Sequence, residues 1–251
     1  VRDWVEAEFL PLVGEHHRAG TFPVSLIPKL GELGVFGATL KEYGCAGLNN
    51  VAYGLIMQEL ERGDSGLRSA ASGQSGLVMY PIYSYGSDAQ KEKWLPAMAR
   101  GEKVGCFGLT EPDHGSDPGS MKTRARRQGD SYVLNGTKLW ITNGGIADFF
   151  TVFAKTSLEG RGHITAFVVT RDLKGVSTGP HEDKMGIRAS STTTVVLEDV
   201  RVPAANVLGE VGKGFKVAMK ILNAGRTGLG GGAVGGVERL LELSVRQGRG
   251  R

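Results

Sequence analysis

Cysteine is nearly missing from this chain: Cys45 and Cys106 are the only two among 251 residues. Two such distant residues give neither a disulfide framework nor the paired spacing of a zinc site, and they suit a reducing compartment. Long apolar runs are missing too. None approaches the roughly 20 residues needed to cross a bilayer, and the opening Val1-Arg2-Asp3-Trp4 lacks the basic-then-apolar pattern of a secretory signal. Charge of one sign is not concentrated: 30 Lys and Arg are interleaved with 26 Asp and Glu for a net +4, which argues against a nucleic-acid partner. The one locally basic stretch is Arg246-Gln247-Gly248-Arg249-Gly250-Arg251. What is present is glycine, 39 residues of it, and a 40% hydrophobic content that suffices for a packed core.

The first hundred residues read as helices. Val1, Val5, Phe9, Leu12 and Val13 recur at helical spacing, and Val51, Leu55 and Leu60 repeat the pattern between Asn50 and Glu61. Ser87-Asp88-Ala89-Gln90 is a capping-box sequence opening a helix that Pro96 should interrupt and Gly101 should end. From Val104 the chain turns to short β-branched and aromatic runs. Ser131–Leu134 and Thr137–Ile141 flank Asn135-Gly136, a pair suited to a two-residue hairpin turn. Phe149–Ala154, His163–Val169 and Thr193–Leu197 are further strands, spaced as in an antiparallel barrel or sandwich. After Pro203 two helical stretches follow, one carrying Phe215, Met219 and Leu222, the other Val237, Leu240, Leu241 and Val245. Between them stand Gly228, Gly230, Gly231, Gly232, Gly235 and Gly236. Each of these would weaken a helix by about 1 kcal/mol relative to alanine, so a helix there requires close backbone packing. Helices, then strands, then helices give an α+β fold rather than alternating βα units. The expected divisions are a helical domain over 1–103, a β-domain over 104–209 and part of a second helical domain over 210–251.

Several familiar patterns fail on context. Gly230-Gly231-Gly232-Ala233-Val234-Gly235 matches a dinucleotide fingerprint in letters, but no strand enters it. Gly73-Gln74-Ser75-Gly76-Leu77 misplaces the second glycine of a nucleophile elbow. His16 and His17, adjacent on a helix, point about 100° apart and cannot chelate one metal together.

Two segments stand apart. Leu109-Thr110-Glu111-Pro112-Asp113-His114-Gly115-Ser116-Asp117 joins a strand end to a polar, glycine-bearing loop, and Trp140-Ile141-Thr142-Asn143 follows in the next strands. Loops of this kind offer free amides and hydroxyls to an anionic or heteroaromatic ligand. Both segments resemble the flavin-binding signatures of the acyl-CoA dehydrogenase family, and the likeness extends over the whole chain. It implies a helical domain, a middle antiparallel β-domain and the start of a C-terminal helical bundle that together clasp FAD. By position, Phe107, Leu109 and Thr110 are expected along the flavin ring, with the Thr110 hydroxyl on its pyrimidine edge. Gly115 and Ser116 are expected at the FAD pyrophosphate and the substrate pantetheine. Trp140, Ile141 and Thr142 are expected beside the isoalloxazine, with Thr142 donating to N5 and O4. Arg226 and Asn223 match positions near CoA, and Arg251 an arginine that reaches the FAD diphosphate of a neighbouring subunit.

Within the family, Glu59-Leu60-Glu61-Arg62-Gly63-Asp64-Ser65-Gly66-Leu67-Arg68-Ser69 is similar to the glutaryl-CoA branch. There the position of Arg68, with Glu61, Ser69 and Ser72 nearby, binds a distal carboxylate, a task suited to the bidentate guanidinium. Gly144 to Gly235 is more similar to the very-long-chain branch, so the two hints differ on substrate. The implied reaction is α,β-desaturation of an acyl-CoA, followed by loss of CO₂ if the substrate is glutaryl-CoA. An electron-transferring flavoprotein would be the electron acceptor and a homodimer or homotetramer the assembly, in the cytoplasm or, in a eukaryote, the mitochondrial matrix. The family's base is a Glu expected beyond Arg251 or, in a minority, at the position of Gly225; neither is present here. An acyl-CoA oxidase of the same fold and a non-catalytic fragment remain as alternatives. For a fragment, Met219, Leu222, Val237, Leu241 and Val245 would form an apolar patch.

Overall fold

The computed structural model describes residues 1–157 and 163–250. The chain opens with α1 (Arg2–Trp4), a π-helical turn over Val5–Phe9 and α2 (Leu10–Ala19), which run on as one rod. α3 (Ile27–Glu32), α4 (Asn50–Gly63) and α5 (Ser65–Ser72) follow, then a second π-helical stretch over Gly73–Met79, α6 (Tyr80–Tyr85) and α7 (Asp88–Ala99). Side chains cap three of these starts. Asn49 accepts from Ala52 N, Asp64 accepts from Gly66 N, and Ser87 forms with Gln90 the reciprocal capping box read from the sequence. Gln90 also donates to the Ala205 and Val207 carbonyls, so this cap ties α7 to the far end of the β-domain. Pro96 does not interrupt α7, which continues through it to Ala99 and stops before Gly101 at φ +72°. The missing proline N–H costs one bond in the last turn, where the helix is ending anyway.

Among the described residues eight strands form one sheet: β1 (Gly105–Gly108), β2 (Arg124–Gln128), β3 (Ser131–Thr142), β4 (Phe149–Lys155), β5 (Ile164–Thr170), β6 (Val176–His181), β7 (Thr192–Pro203) and β8 (Val207–Leu208). The order is β6-β7-β3-β2-β4-β5-β8, with β1 lying parallel beside β4. Most neighbours are antiparallel; β2 touches β4 in parallel at one residue pair. β4 and β5 are buried along nearly their whole length, as strands covered on both faces must be. Trp94 of α7 packs on Phe149, and Tyr132 packs on Phe167.

The hairpin expected at Asn135-Gly136 is not there. β3 runs straight through it, and the tight turn lies at Gly129-Asp130, between the paired ends Gln128 and Ser131, with Gly129 at φ +61°. Asn135 and Gly136 instead face an irregularity in which β7 carries one extra residue. The Asn135 amide donates to Asp199 Oδ1 and its oxygen accepts from Asp199 N. At Gly136 a Cβ would stand 2.3 Å from Thr123 Oγ1. The residues that suit a turn here serve a β-bulge.

The two helices expected after Pro203 are one: α8 (Gly214–Arg249) spans 36 residues and crosses the glycine cluster without a break. Gly228, Gly232 and Gly235 are its buried face over that stretch. Added Cβ atoms would lie 3.0 Å from Tyr53 at Gly228, 3.2 Å from the Gly54 carbonyl at Gly231 and 2.0 Å from the Gln58 carbonyl at Gly235. The glycines therefore let α8 approach α4 backbone to backbone, which is the packing their helical cost required. Gln58 donates to Glu238 and Arg62 grips Glu242 with both amino groups along the same seam. On the opposite side Val237, Leu240 and Leu241 are about two-thirds exposed. The expected apolar patch is thus confined to this end of α8, because Met219 and Leu222 are partly buried against the core. Among the described residues no helix is long and apolar enough to cross a membrane.

Candidate active site

Where β1, β3 and α8 converge there is a cavity of about 380 Å³, within the ~300–1,000 Å³ usual for small-molecule sites. Its walls come from four places. β1 and its exit supply Cys106, Phe107, Leu109 and Thr110. The end of β3 supplies Trp140, Ile141 and Thr142; the loop between them adds Gly115, Ser116 and Pro118; and the helices add Gly73, Leu77, Met219, Leu222 and Arg226. A larger cleft of about 770 Å³ on the other flank of α8 is edged by Lys213, Lys216 and Lys220 and contains none of the residues nominated from the sequence. The smaller cavity is the better candidate, because apolar walls and a few converging hydroxyls meet there.

Backbone geometry brings the two loops together. β1 pairs with β4 only through Gly108, which frees Leu109 and Thr110 to leave the sheet. Across from them, β3 has a bulge between Lys138 and Ile141, and Trp140 sits at φ +57°. This left-handed turn swings the indole out of the strand's alternation to the cavity mouth, where it is 63% exposed. Leu139 N donates to Thr110 O at 2.9 Å, a direct bond between the two walls. Phe107 is braced edge-on by Phe153, and Ile141 is buried beneath. Gln74 anchors the other end of β1, accepting from Gly105 N while donating to the Met98 and Lys103 carbonyls. Arg171 donates to the Gly144 and Ala147 carbonyls and fixes the loop after Thr142.

Behind the first loop lies a buried ion pair. Lys138 Nζ donates to Glu111 Oε1 at 2.8 Å and to the Leu109 carbonyl at 3.2 Å, with both side chains almost wholly buried. Glu111 also accepts from Lys122 N and Thr123 N. Burial pushes the Glu111 carboxyl up, but Lys138 and these donors more than offset it and hold it below its ordinary value. Burial pulls the Lys138 ammonium down to about 8 against the opposing pull of Glu111. Burial also raises the Cys106 thiol, so this wall residue is a neutral neighbour and not a nucleophile.

The structure thus gathers Phe107, Leu109, Thr110, Gly115, Ser116, Trp140, Ile141, Thr142 and Arg226 around one space. Asn223 lies just outside and accepts from Arg226 Nη1 at 2.7 Å. Glu61, Arg68 and Ser72 form a separate cluster that does not line the cavity, although Ser72 adjoins the wall residue Gly73. Arg68 Nε donates to Glu61 at 2.5 Å and Nη1 to Ser72 at 3.3 Å, while the Ser72 hydroxyl donates to the Ser69 carbonyl. Arg251 lies outside the described residues. Four wall residues were not expected from the sequence, where Gly73 and Leu77 belong to an incomplete nucleophile-elbow pattern and Met219 and Leu222 to a helix face; the Lys138–Glu111 pair was not expected either. A lysine within the apolar strand pattern of β3 was the available signal for that pair.

Models of acyl-CoA dehydrogenase N-terminal and middle domains match residues 1–102 and 106–200. The chain belongs to the acyl-CoA dehydrogenase family. It is 42% identical to the mitochondrial short-chain specific acyl-CoA dehydrogenase of Rattus norvegicus over 248 residues, 98% of this chain and 60% of that protein. A glutaryl-CoA dehydrogenase from Mycobacterium smegmatis, solved in complex with FADH2, is 45% identical and superposes with a TM-score of 0.94, over all of this chain and 64% of that one. Butyryl-CoA dehydrogenase from Megasphaera elsdenii is 42% identical with a TM-score of 0.93, over 98% of this chain and 66% of that one. The chain therefore has the family's α+β architecture and spans about three-fifths of the length of the curated relatives it matches.

Proposed function

We propose that this chain forms the FAD- and thioester-binding part of an acyl-CoA dehydrogenase. One observation carries the reading: the loops around Thr110 and Thr142 meet across a single cavity and are bonded to each other through Leu139 and Thr110. A flavin has flat apolar faces and a polar edge, and this donor set fits both. Phe107, Leu109, Ile141 and Trp140 supply apolar surface, while the Thr110, Thr142 and Ser116 hydroxyls supply partners for the edge. At Gly115 no atom lies within 4 Å of where a Cβ would be, which leaves backbone open to a phosphate. Bound FAD supplies the hydride acceptor for α,β-desaturation. In this reading the hydroxyls and amides favour the charge gained on reduction, Ser116 and Arg226 hold the CoA arm, and Trp140 excludes water at the mouth. Among the described residues the cavity wall has neither carboxylate nor imidazole, so none of these wall residues takes the α-proton. Onward electron transfer to an electron-transferring flavoprotein and assembly as a homodimer or homotetramer belong to the same proposal.

FAD added to the purified chain is expected to quench tryptophan emission at one equivalent, and Trp140→Phe is expected to remove most of that quench. Thr110→Ala and Thr142→Ala should each weaken binding by roughly 3- to 10-fold, the effect of one hydrogen bond. A chain that folds yet takes up no flavin at millimolar FAD would defeat the reading.

Arg68 favours a second reading, of the acyl end. Its Nη2 has no hydrogen-bond partner among the described residues, although Nε and Nη1 are held by Glu61 and Ser72. A guanidinium with one amino group left to donate suits a distal carboxylate, as in glutaryl-CoA. Arg68→Ala is then expected to weaken glutaryl-CoA binding at least tenfold, the scale of a hydrogen bond to a charged group, and to leave butyryl-CoA binding nearly unchanged. Equal losses for both ligands would remove this assignment.

A further inference from the structure

Among the described residues the Lys138–Glu111 pair is the one fully buried ion pair, and neither side chain lines the cavity. Its geometry joins the two walls. Lys138 belongs to β3, two residues before Trp140, and its stem runs beside Gly108 of β1, where a Cβ would stand 3.4 Å from Lys138 Cγ. Its ammonium binds the Leu109 carbonyl, the Glu111 carboxylate and, at 3.9 Å, the Met121 sulfur. A trans peptide points its C=O and N–H in opposite directions. With the Leu109 carbonyl turned to Lys138, the Thr110 N–H points the other way, toward the side on which Thr110 lines the cavity. No acceptor meets that N–H among the described residues. A cation on the carbonyl end of a peptide polarises it and makes its N–H a stronger donor.

We propose that Lys138 is a positioning residue that acts through the Leu109–Thr110 peptide: it locks the two walls together and presents the Thr110 N–H as a polarised donor to whatever anionic edge occupies the cavity, with Glu111 setting how much of its charge is felt. The locking does not depend on the ligand. The effect on flavin rests on the FAD reading above.

The polarising role predicts opposite signs for the two halves of the pair. Lys138→Met removes the cation and leaves a carboxylate behind, so it should weaken binding of reduced FAD relative to oxidised FAD, on the order of tenfold. Glu111→Gln leaves the ammonium less neutralised and should shift that ratio by a similar factor the other way. A tenfold change in the ratio is about 30 mV in a two-electron midpoint potential. The apolar double variant Glu111→Leu/Lys138→Met guards against misfolding, because replacing both members of a buried pair is usually tolerated; with neither the stranded carboxylate nor the polarising ammonium, its ratio should fall between those of Lys138→Met and the parent. A merely structural pair would move both single variants in the same direction, or neither, and that result overturns the polarising role. Amide exchange in the chain without ligand decides the locking role even if no FAD binds at all. Lys138→Met and the double variant should exchange Leu139 at least tenfold faster while the β4–β5 amides keep their protection. Unchanged exchange at Leu139 overturns the lock.

Discussion

Replacing Gly225 by glutamate is expected to let a short acyl-CoA bleach the flavin of the loaded chain anaerobically about 10²- to 10⁴-fold faster than Gly225→Gln, the usual contribution of a positioned general base. Gly225 precedes Arg226, which lines the cavity, and the nearest atom to a Cβ there is Leu77 Cδ2 at 3.8 Å, itself on the cavity wall. A longer side chain can therefore enter the space without displacing backbone. The same substitution should stabilise α8 by up to about 1 kcal/mol, since glycine is the weaker helix former. Glutamine keeps the size and the helix propensity and lacks only the base, so the comparison isolates proton removal. Equal bleaching rates, with both variants holding FAD and acyl-CoA, would show that position 225 does not face the α-carbon.

The glycine seam supplies the second large effect. Gly235→Ala drives a methyl into the Gln58 carbonyl, 2.0 Å from the ideal Cβ, and should cost about 2–3 kcal/mol, as overpacking of a close contact does. Gly230 lies five residues away with nothing within 4 Å of its Cβ position, and Gly230→Ala should gain about 0.5–1 kcal/mol. In a chain of this size those figures correspond to a thermal midpoint roughly 4–12 °C lower for the first and about 1–4 °C higher for the second. Similar midpoints for the two variants would mean that α8 and α4 are not in backbone contact.

These two glycines also show where the sequence was legible. Composition marks 228–236 as unusual, and helix energetics demands a close partner, yet nothing local says that the partner is α4 or that one glycine faces it and another faces water. Elements defined by their own chemistry were readable in advance. The capping box of α7 closes within four residues, and β4 and β5 are apolar enough to announce strands covered on both faces. β2 was hidden because only Ala125 of its Arg-rich run points inward. β6 was hidden because Gly179 and Pro180 are tolerated on an edge strand, and β6 ends the sheet. Asn135-Gly136 misled because a turn and a bulge ask for the same residues, and the choice is made by Thr123 and Asp199, which are distant in sequence. At the candidate site the two polar loops stood out by their chemistry and by the resemblance they carry, and the structure puts them on one cavity, but the wall contributed by α8 was only partly visible: Arg226 was marked by the resemblance, whereas Met219 and Leu222 look like any helix core.

Trp140 holds a backbone shape that glycine or asparagine would adopt with less strain. At this single residue the needs of the folded chain and the needs of an enclosed ligand oppose each other. A smaller residue would relax the polypeptide there and leave the mouth ajar, so an occupant with a flat face, stacked on the indole, would recover part of what the bulge gives up.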